Sequence, residues 1–159
     1  MDHKTFFLKN WNKEAAATRA VLSRIPEGAD YRPDPKARTA QEIAWLIVHE
    51  EAVIADGLEA GQVEWVDAKV PATMREVLET YDQRHQEITE RLTALDAARW
   101  EQEVPFLFQG HEVMRETGFE LAWGFLLDSI HHRGQLSTYL RPLGAKVPQI
   151  YGPSADEPM

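Results

Sequence analysis

The chain has 159 residues, of which 43% are hydrophobic and 27% are charged, a composition typical of a globular protein with one sizeable core. It contains no cysteine, which excludes disulfide bonds, thiolate metal sites and a cysteine nucleophile. The formal net charge is −9 and no lysine–arginine cluster occurs, so nucleic acid is not expected as a partner. We expect a single domain, residues 1–159, in which any metal is held by histidines and carboxylates.

Membrane segments and targeting signals are not expected from the sequence. The N-terminal residues contain no long apolar stretch with a cleavage site, and no later segment approaches the roughly 18 uninterrupted apolar residues of a membrane span. The expectation is therefore a cytoplasmic protein without a membrane partner.

Four segments carry apolar residues at intervals of three and four, the spacing of an amphipathic helix. Two of these segments open with a Thr-x-x-Glu capping box, at Thr39 and at Thr73. Residues 96–112 show no sustained period and are predicted as a long crossover loop. Residues 142–159, after the last helix, are predicted as a non-helical tail. The predicted helices cover residues 2–25, 39–59, 73–94 and 114–141. Because nothing alternates long enough to predict a sheet, the expected fold is an all-α four-helix bundle.

Three ionisable residues interrupt the apolar stripes that such a bundle must bury. Asp128 and His132 are four residues apart and project from one face of the last helix, while His49 lies in the most apolar stretch of the second. A divalent cation would compensate all three burials, because a carboxylate and two neutral imidazoles from facing helices can bind it and leave coordination positions open. The alternative is an internal hydrogen-bond network without an ion.

Other polar residues are interpreted as structural. His131 lies about 100° around the helix from His132 and is expected outside the ligand set. His85 and His111 are expected to be structural as well. The acidic residues of the second helix are expected on a solvated face, where one of them could orient a ligating histidine or pair with Arg133; they are Glu50, Glu51 and Asp56.

The pattern of a helix-two histidine followed by a late His132-Arg133-Gly134-Gln135-Leu136 string resembles the DinB/YfiT-like family of metalloenzymes. The resemblance covers the whole chain and agrees in motif order, spacing and length. It implies an up-up-down-down four-helix bundle, a homodimer, and a metal held by one histidine of the second helix and an H-x-x-x-H pair of the fourth. These positions correspond to His49, Asp128 and His132, so an aspartate replaces the first histidine of the pair.

The resemblance also implies a function. Related proteins bind nickel, zinc or similar divalent ions, and some transfer a low-molecular-weight thiol to an electrophile. We therefore expect a divalent-metal-dependent enzyme (Ni, Zn, Fe or Mn), acting on a small molecule with a thiol such as bacillithiol, mycothiol or glutathione, in detoxification or stress response. The alternatives are a metal-dependent hydrolase with Glu50 as base, and a non-catalytic binding bundle. The sequence identifies no catalytic residue.

Overall fold

The structure, a computed structural model, describes residues 1–158 and contains there five helices and three short strands. The helices are α1 (His3–Leu22), α2 (Ala40–Ala60), α3 (Met74–Ala94), α4 (Ala97–Glu101) and α5 (Gly118–Leu140). The strands are β1 (Val63–Trp65), β2 (Glu103–Phe108) and β3 (His111–Thr117). Both predicted capping boxes are formed, at the starts of α2 and α3, and the first three helices end within three residues of their predicted bounds.

The prediction of an all-α four-helix bundle is wrong, because residues 96–112 are not a loop. They form α4, then β2, which pairs antiparallel with β3 and parallel with β1 in a three-stranded sheet. Gln109 and Gly110 connect β2 to β3, both with positive φ (51° and 77°), as a tight hairpin turn requires. Residues 111–117, partly assigned to the last helix, are strand, so α5 begins at Gly118 after the capping box of Thr117 and Glu120.

The helix directions also differ from the up-up-down-down order that the family resemblance implied. Pairs such as Glu14 with Arg133 and Phe6 with Trp123 show that α1 and α5 run in the same direction. The partners of α2 on α5 appear in reverse order, from the Arg38 carbonyl near Tyr139 to the close approach of α2 and α5 at Gly118. Since α2 and α3 are parallel, the order is up-down-down-up.

Because α2 and α3 are parallel, the chain must return along the whole length of α2 before α3 begins. Residues 61–73, the crossover segment, make this return. This segment starts with β1 against the end of α2, where a Cβ atom on Gly57 would lie 2.7 Å from the Cα of Val63. It ends beside the start of α2, where Gln41 donates a hydrogen bond to the Pro71 carbonyl. The crossover segment and the sheet together cover one side of the α2–α5 pair.

The interior consists of two apolar clusters, one at each end of the bundle, with polar side chains buried between them. Each of the long helices contributes to this polar layer, in which buried residues must be hydrogen-bonded or paired. Within residues 1–158, no helix combines the length and apolar composition that crossing a membrane requires. The residues of the polar layer are Glu14, Thr18, Glu50, Glu51, His85, Ser129, His132 and Arg133.

Candidate metal centre

Asp128 and His132 lie one turn apart on the face of α5 that meets α2. The Nε2 atom of His132 is 3.5 Å from Oδ2 of Asp128, as the i,i+4 spacing predicts. The imidazole is largely buried, whereas the Asp128 side chain is more than half exposed. The pair therefore stands at the border between the polar layer and solvent.

The third polar group comes from α2, and it is Glu50. Its Oε1 atom lies 3.6 Å from Nε2 of His132, and its other oxygen accepts a hydrogen bond of 2.8 Å from the Ser129 hydroxyl. Glu50 is only 2% exposed. One ligand atom from each of Glu50, Asp128 and His132 lies within 4.8 Å of the other two, so two helices bring three metal-ligating groups together.

Burial has a large effect on the carboxyl group of Glu50. Burial raises the pKa of Glu50 to about 8, because desolvation penalises the charged form. The hydrogen bond from Ser129 opposes this increase, and the neighbouring Asp128 carboxylate adds to it. A cation bound between the three groups would lower the pKa of Glu50 again, because it compensates the buried negative charge.

The donor set fits a divalent cation. Ligand atoms held at about 2.0–2.2 Å from one ion lie roughly 3.0–3.5 Å apart, and the two distances from Nε2 of His132 are 3.6 and 3.5 Å. Two carboxylates and one imidazole suit zinc, iron, manganese or nickel, and they leave coordination positions for a small molecule. The residues present therefore match the metal that the family resemblance implied.

His49, the third predicted ligand, lies outside the cluster that the adjacent residue Glu50 joins. Its Nε2 atom lies 2.6 Å from the carbonyl oxygen of Val66 in the crossover segment, and its ring meets the Trp65 ring edge-on. His49 lines the same cavity as Asp128 and His132 but is not in the group of converging ligand atoms. The set of His49, Asp128 and His132 thus stays a prediction, and Glu50 takes the position expected of His49.

The remaining polar residues of the sequence analysis have partners elsewhere. His85 bonds to the buried carboxylate of Glu51 at 3.0 Å, and Asp56 pairs with Arg91 of α3. Burial raises the pKa of Glu51, and the hydrogen bond from His85 opposes the increase. His111 is the exposed first residue of β3. Arg133 pairs with none of the α2 acids, and its partner is Glu14 of α1.

A cavity of about 1250 Å³ opens in front of the three ligand groups. It lies between α2, α5, the crossover segment and the sheet, and it is large enough for a small organic molecule. Its walls are largely aromatic near the sheet and cationic near the α1–α2 connection, and include Trp45, Trp65, Phe106, Phe108, Phe125, Arg32, Lys36 and Arg38.

Gln135, one turn after the ligand pair, fixes the orientation of His132. Its amide nitrogen lies 3.0 Å from Nε2 of His131 and donates to it, and its amide oxygen accepts the 3.1 Å hydrogen bond from Nδ1 of His132. The tautomer with the proton on Nδ1 leaves Nε2 of His132 free to bind a cation, as second ligand shells commonly arrange.

Replacing Gln135 by alanine is expected to weaken metal binding by roughly 10–100-fold, because the imidazole loses the acceptor that fixes its tautomer. Competition with a fluorescent zinc chelator measures the change. Gln135→Glu keeps an acceptor and should restore most of the affinity, and Gln86→Ala, on the exposed face of α3, is the matched control. Unchanged affinity in Gln135→Ala would show that packing alone orients His132.

Comparison with known proteins agrees with this fold. The sequence matches the DinB family over residues 1–159. It is 27% identical over 160 residues to the uncharacterized protein YrdA of Bacillus subtilis (strain 168), covering 99% of this chain and 91% of that protein. Crystal structures of DinB-like proteins from Bacillus cereus (TM-score 0.74, 20% identity, 91% of this chain and 95% of that chain) and Bacillus subtilis (YjoA; 0.70, 17%, 91% and 96%) share the fold. The chain belongs to the DinB family.

Proposed function

We propose that this protein binds one divalent cation through Glu50, Asp128 and His132 and is a metal-dependent transferase for a small-molecule thiol. The observation that carries the proposal is the position of the three ligand atoms, which converge at the wall of a cavity rather than in a closed core. When bound, a divalent cation supplies Lewis acidity, which makes the thiolate form of a thiol available at neutral pH. In the net reaction the thiol sulfur bonds to an electrophilic carbon, while its proton and the leaving group pass to solvent.

The residues of the chain have distinct parts in this proposal. Ser129 holds Glu50 and Gln135 holds His132, so that two of the three ligand groups are oriented before anything binds. The aromatic walls at Phe106 and Phe125 exclude water and pack the apolar part of an electrophile.

The ligand set is tested by the metal content of protein purified without chelator or affinity tag, measured by mass spectrometry. We expect about one equivalent of a divalent metal in the native chain and less than a tenth of that in Glu50→Gln and in His132→Ala. His49→Ala separates the two ligand sets: it keeps its metal if Glu50 is the third ligand and loses it if His49 is. Native protein that takes up no metal, even after reconstitution, would refute the proposal.

The transferase activity is tested with the metal-loaded protein, 1-chloro-2,4-dinitrobenzene as electrophile and a panel of thiols that includes cysteine, glutathione, bacillithiol and mycothiol. We expect at least one thiol to react well above the rate with the variant Asp128→Asn/His132→Ala. The matched control, His3→Ala/Glu101→Gln, removes an exposed histidine–carboxylate pair far from the cavity and should react as the native chain does. Equal rates in all three proteins for every thiol would contradict a transferase.

A metal-dependent hydrolase is the second candidate, and one observation favours it. Glu50 is a buried carboxyl at the cavity whose pKa of about 8 would suit a general base near neutral pH, if it accepted a proton from water instead of binding the cation. Hydrolysis of an activated ester without thiol, lost in Glu50→Gln although the metal stays bound, would support this reading. Metal binding without either activity would indicate a binding protein. We also propose that the chain is a single domain and, as the family resemblance implies, that it forms a homodimer.

A further inference from the structure

Three cations stand on one wall of the cavity, at the end where α2 begins. Arg32, Lys36 and Arg38 all belong to the connection between α1 and α2 (residues 23–39), and all three line the cavity. The acidic residues Glu116 and Glu120 lie at the opposite end, near the sheet and the start of α5. The metal-ligating groups therefore lie between a basic wall (Arg32, Lys36 and Arg38) and an acidic end, and Glu42 is an acidic residue that lines the cavity near the start of α2.

The basic wall has no acidic partner in the part of the chain that the structure describes. The side chains of its three residues are exposed and form neither an ion pair nor a hydrogen bond within residues 1–158, whereas six other arginines form ion pairs. The chain has 26 acidic and 17 basic residues, so potential partners are abundant. Acids close by are engaged elsewhere: Asp34 accepts from the Lys36 backbone amide, and Glu42 completes the capping box of α2.

The backbone under the basic wall is fixed, although its side chains are exposed. The Tyr139 hydroxyl donates to the Arg38 carbonyl, and the Tyr31 ring packs edge-on against Tyr139 at 5.4 Å. Thr39, the next residue, is buried as the N-cap of α2. The three cations are thus presented from an anchored connection, which reduces the entropy cost of binding an anion.

The distance between the basic wall and the three ligand groups defines the size of a molecule that could contact both. Glu50 lies 11 residues into α2 from its N-cap, about 16 Å along the axis, and the length of an arginine side chain reduces the gap to on the order of 10 Å. Arg38 and Glu50 line the same cavity, so one bound molecule can contact both groups. A molecule of six to eight bonded atoms would span them.

We infer that the basic wall of Arg32, Lys36 and Arg38 binds a carboxylate or phosphate group of the substrate, while the reacting end of the same molecule lies at Glu50, Asp128 and His132. The inference rests on the proposed function and adds the substrate class to it: an anionic small molecule whose charge is on the order of 10 Å from its reactive atom. An anion binds more favourably when the cations are unpaired in the free protein, because no internal ion pair has to be broken first.

The test uses two thiols of equal length, 6-mercaptohexanoate and neutral 6-mercaptohexanol, with dissociation constants from calorimetry at low salt on zinc-loaded protein. We expect the native chain to bind the anionic thiol at least tenfold more tightly, and Arg32→Ala/Lys36→Ala/Arg38→Ala to lose this preference while binding 6-mercaptohexanol unchanged. The matched control, Lys9→Ala/Arg75→Ala/Lys146→Ala, removes the same charge from exposed positions outside the cavity and should keep the preference. Competition by acetate or by inorganic phosphate separates a carboxylate site from a phosphate site.

Two results would overturn the inference. One is equal binding of the two thiols by the native chain, including no binding of either, and the other is a preference that both triple variants lose equally, which indicates net charge rather than a site. The metal content of the same samples reports separately on the proposed function. A zinc-loaded chain without a charge preference would leave the metal centre standing and remove only the anion site.

Discussion

Metal-free protein with Glu50 replaced by glutamine is expected to be more stable than the native chain at pH 8, although the same change removes a metal-ligating group. Glu50 is almost fully buried, and burial raises its pKa to about 8. An unfolded glutamate loses its proton near pH 4.5, well before the folded one does. The free energy of unfolding of the native chain therefore falls as pH rises from about 4.5 to about 8. Glutamine has no proton to lose, and it can still accept the hydrogen bond from Ser129.

The expected difference between the two proteins is small at pH 5 and grows to about 2–5 kcal/mol at pH 8, from the size of the pKa shift. Urea unfolding with a chelator present, at pH 5 and pH 8, measures it. Glu51, whose pKa is also raised, is present in both proteins, so its contribution cancels in the comparison. Glu87→Gln, on the exposed face of α3, is the control and should follow the native chain. A constant difference between native chain and Glu50→Gln at the two pH values would show that Glu50 does not carry a buried charge.

Saturating zinc should reverse the order of stability. A ligand that binds only the folded state stabilises it by mass action, and only the native chain retains all three ligand groups. Burying Glu50 without a cation lowers stability, and proteins commonly tolerate such a loss at residues that a binding site requires.

The helices could be predicted from the sequence because their signals are local. The capping boxes at Thr39 and Thr73 and the period of the apolar residues place α2 and α3 to within a residue. The same signal was present at Thr117 and Glu120 and would have placed the start of α5 correctly. The sheet left no comparable pattern: β3 is exposed over most of its length, and Pro105 interrupts β2, so neither strand shows clean alternation.

The candidate metal centre was predictable only in part, for a geometric reason. Asp128 and His132 share one face of α5 by their spacing, whatever the partner helix is. On α2, however, His49 and Glu50 are adjacent and point about 100° apart. Because α2 is buried on most of its circumference, hydropathy does not indicate which side faces α5. The packing of α2 against both α3 and α5 decides it, and this depends on contacts between distant residues.

The partner of Arg133 was likewise not predictable from the sequence, because it depends on contacts between distant residues. The Arg133 guanidinium is 2% exposed and points to α1, where Nη1 lies 2.8 Å from Oε2 of Glu14 and 3.3 Å from the Thr18 hydroxyl. Tyr151 of the C-terminal tail closes the cluster by donating a 2.6 Å hydrogen bond to Glu14. The tail thus folds back on its own chain.

Arg133→Met is expected to reduce the free energy of unfolding by about 3–5 kcal/mol, because methionine fills the space but leaves the buried carboxylate of Glu14 without its cation. Chemical denaturation of the metal-free protein at pH 7 measures the loss.

The double variant Arg133→Met/Glu14→Leu distinguishes a broken ion pair from poor packing. It removes both charges, so most of the loss should be recovered, since a buried pair replaced by apolar residues is often nearly neutral. Tyr151→Phe leaves the ion pair in place but removes two hydrogen bonds, the one donated to Glu14 and the one accepted from Arg133, and should cost about 1–3 kcal/mol. A double variant as unstable as Arg133→Met would mean that the shape of the arginine, rather than its charge, supports the core. His132 is adjacent to Arg133 on α5. If loss of the ion pair lets α5 rotate, His132 moves away from Glu50, so we expect the destabilised chain also to bind zinc more weakly.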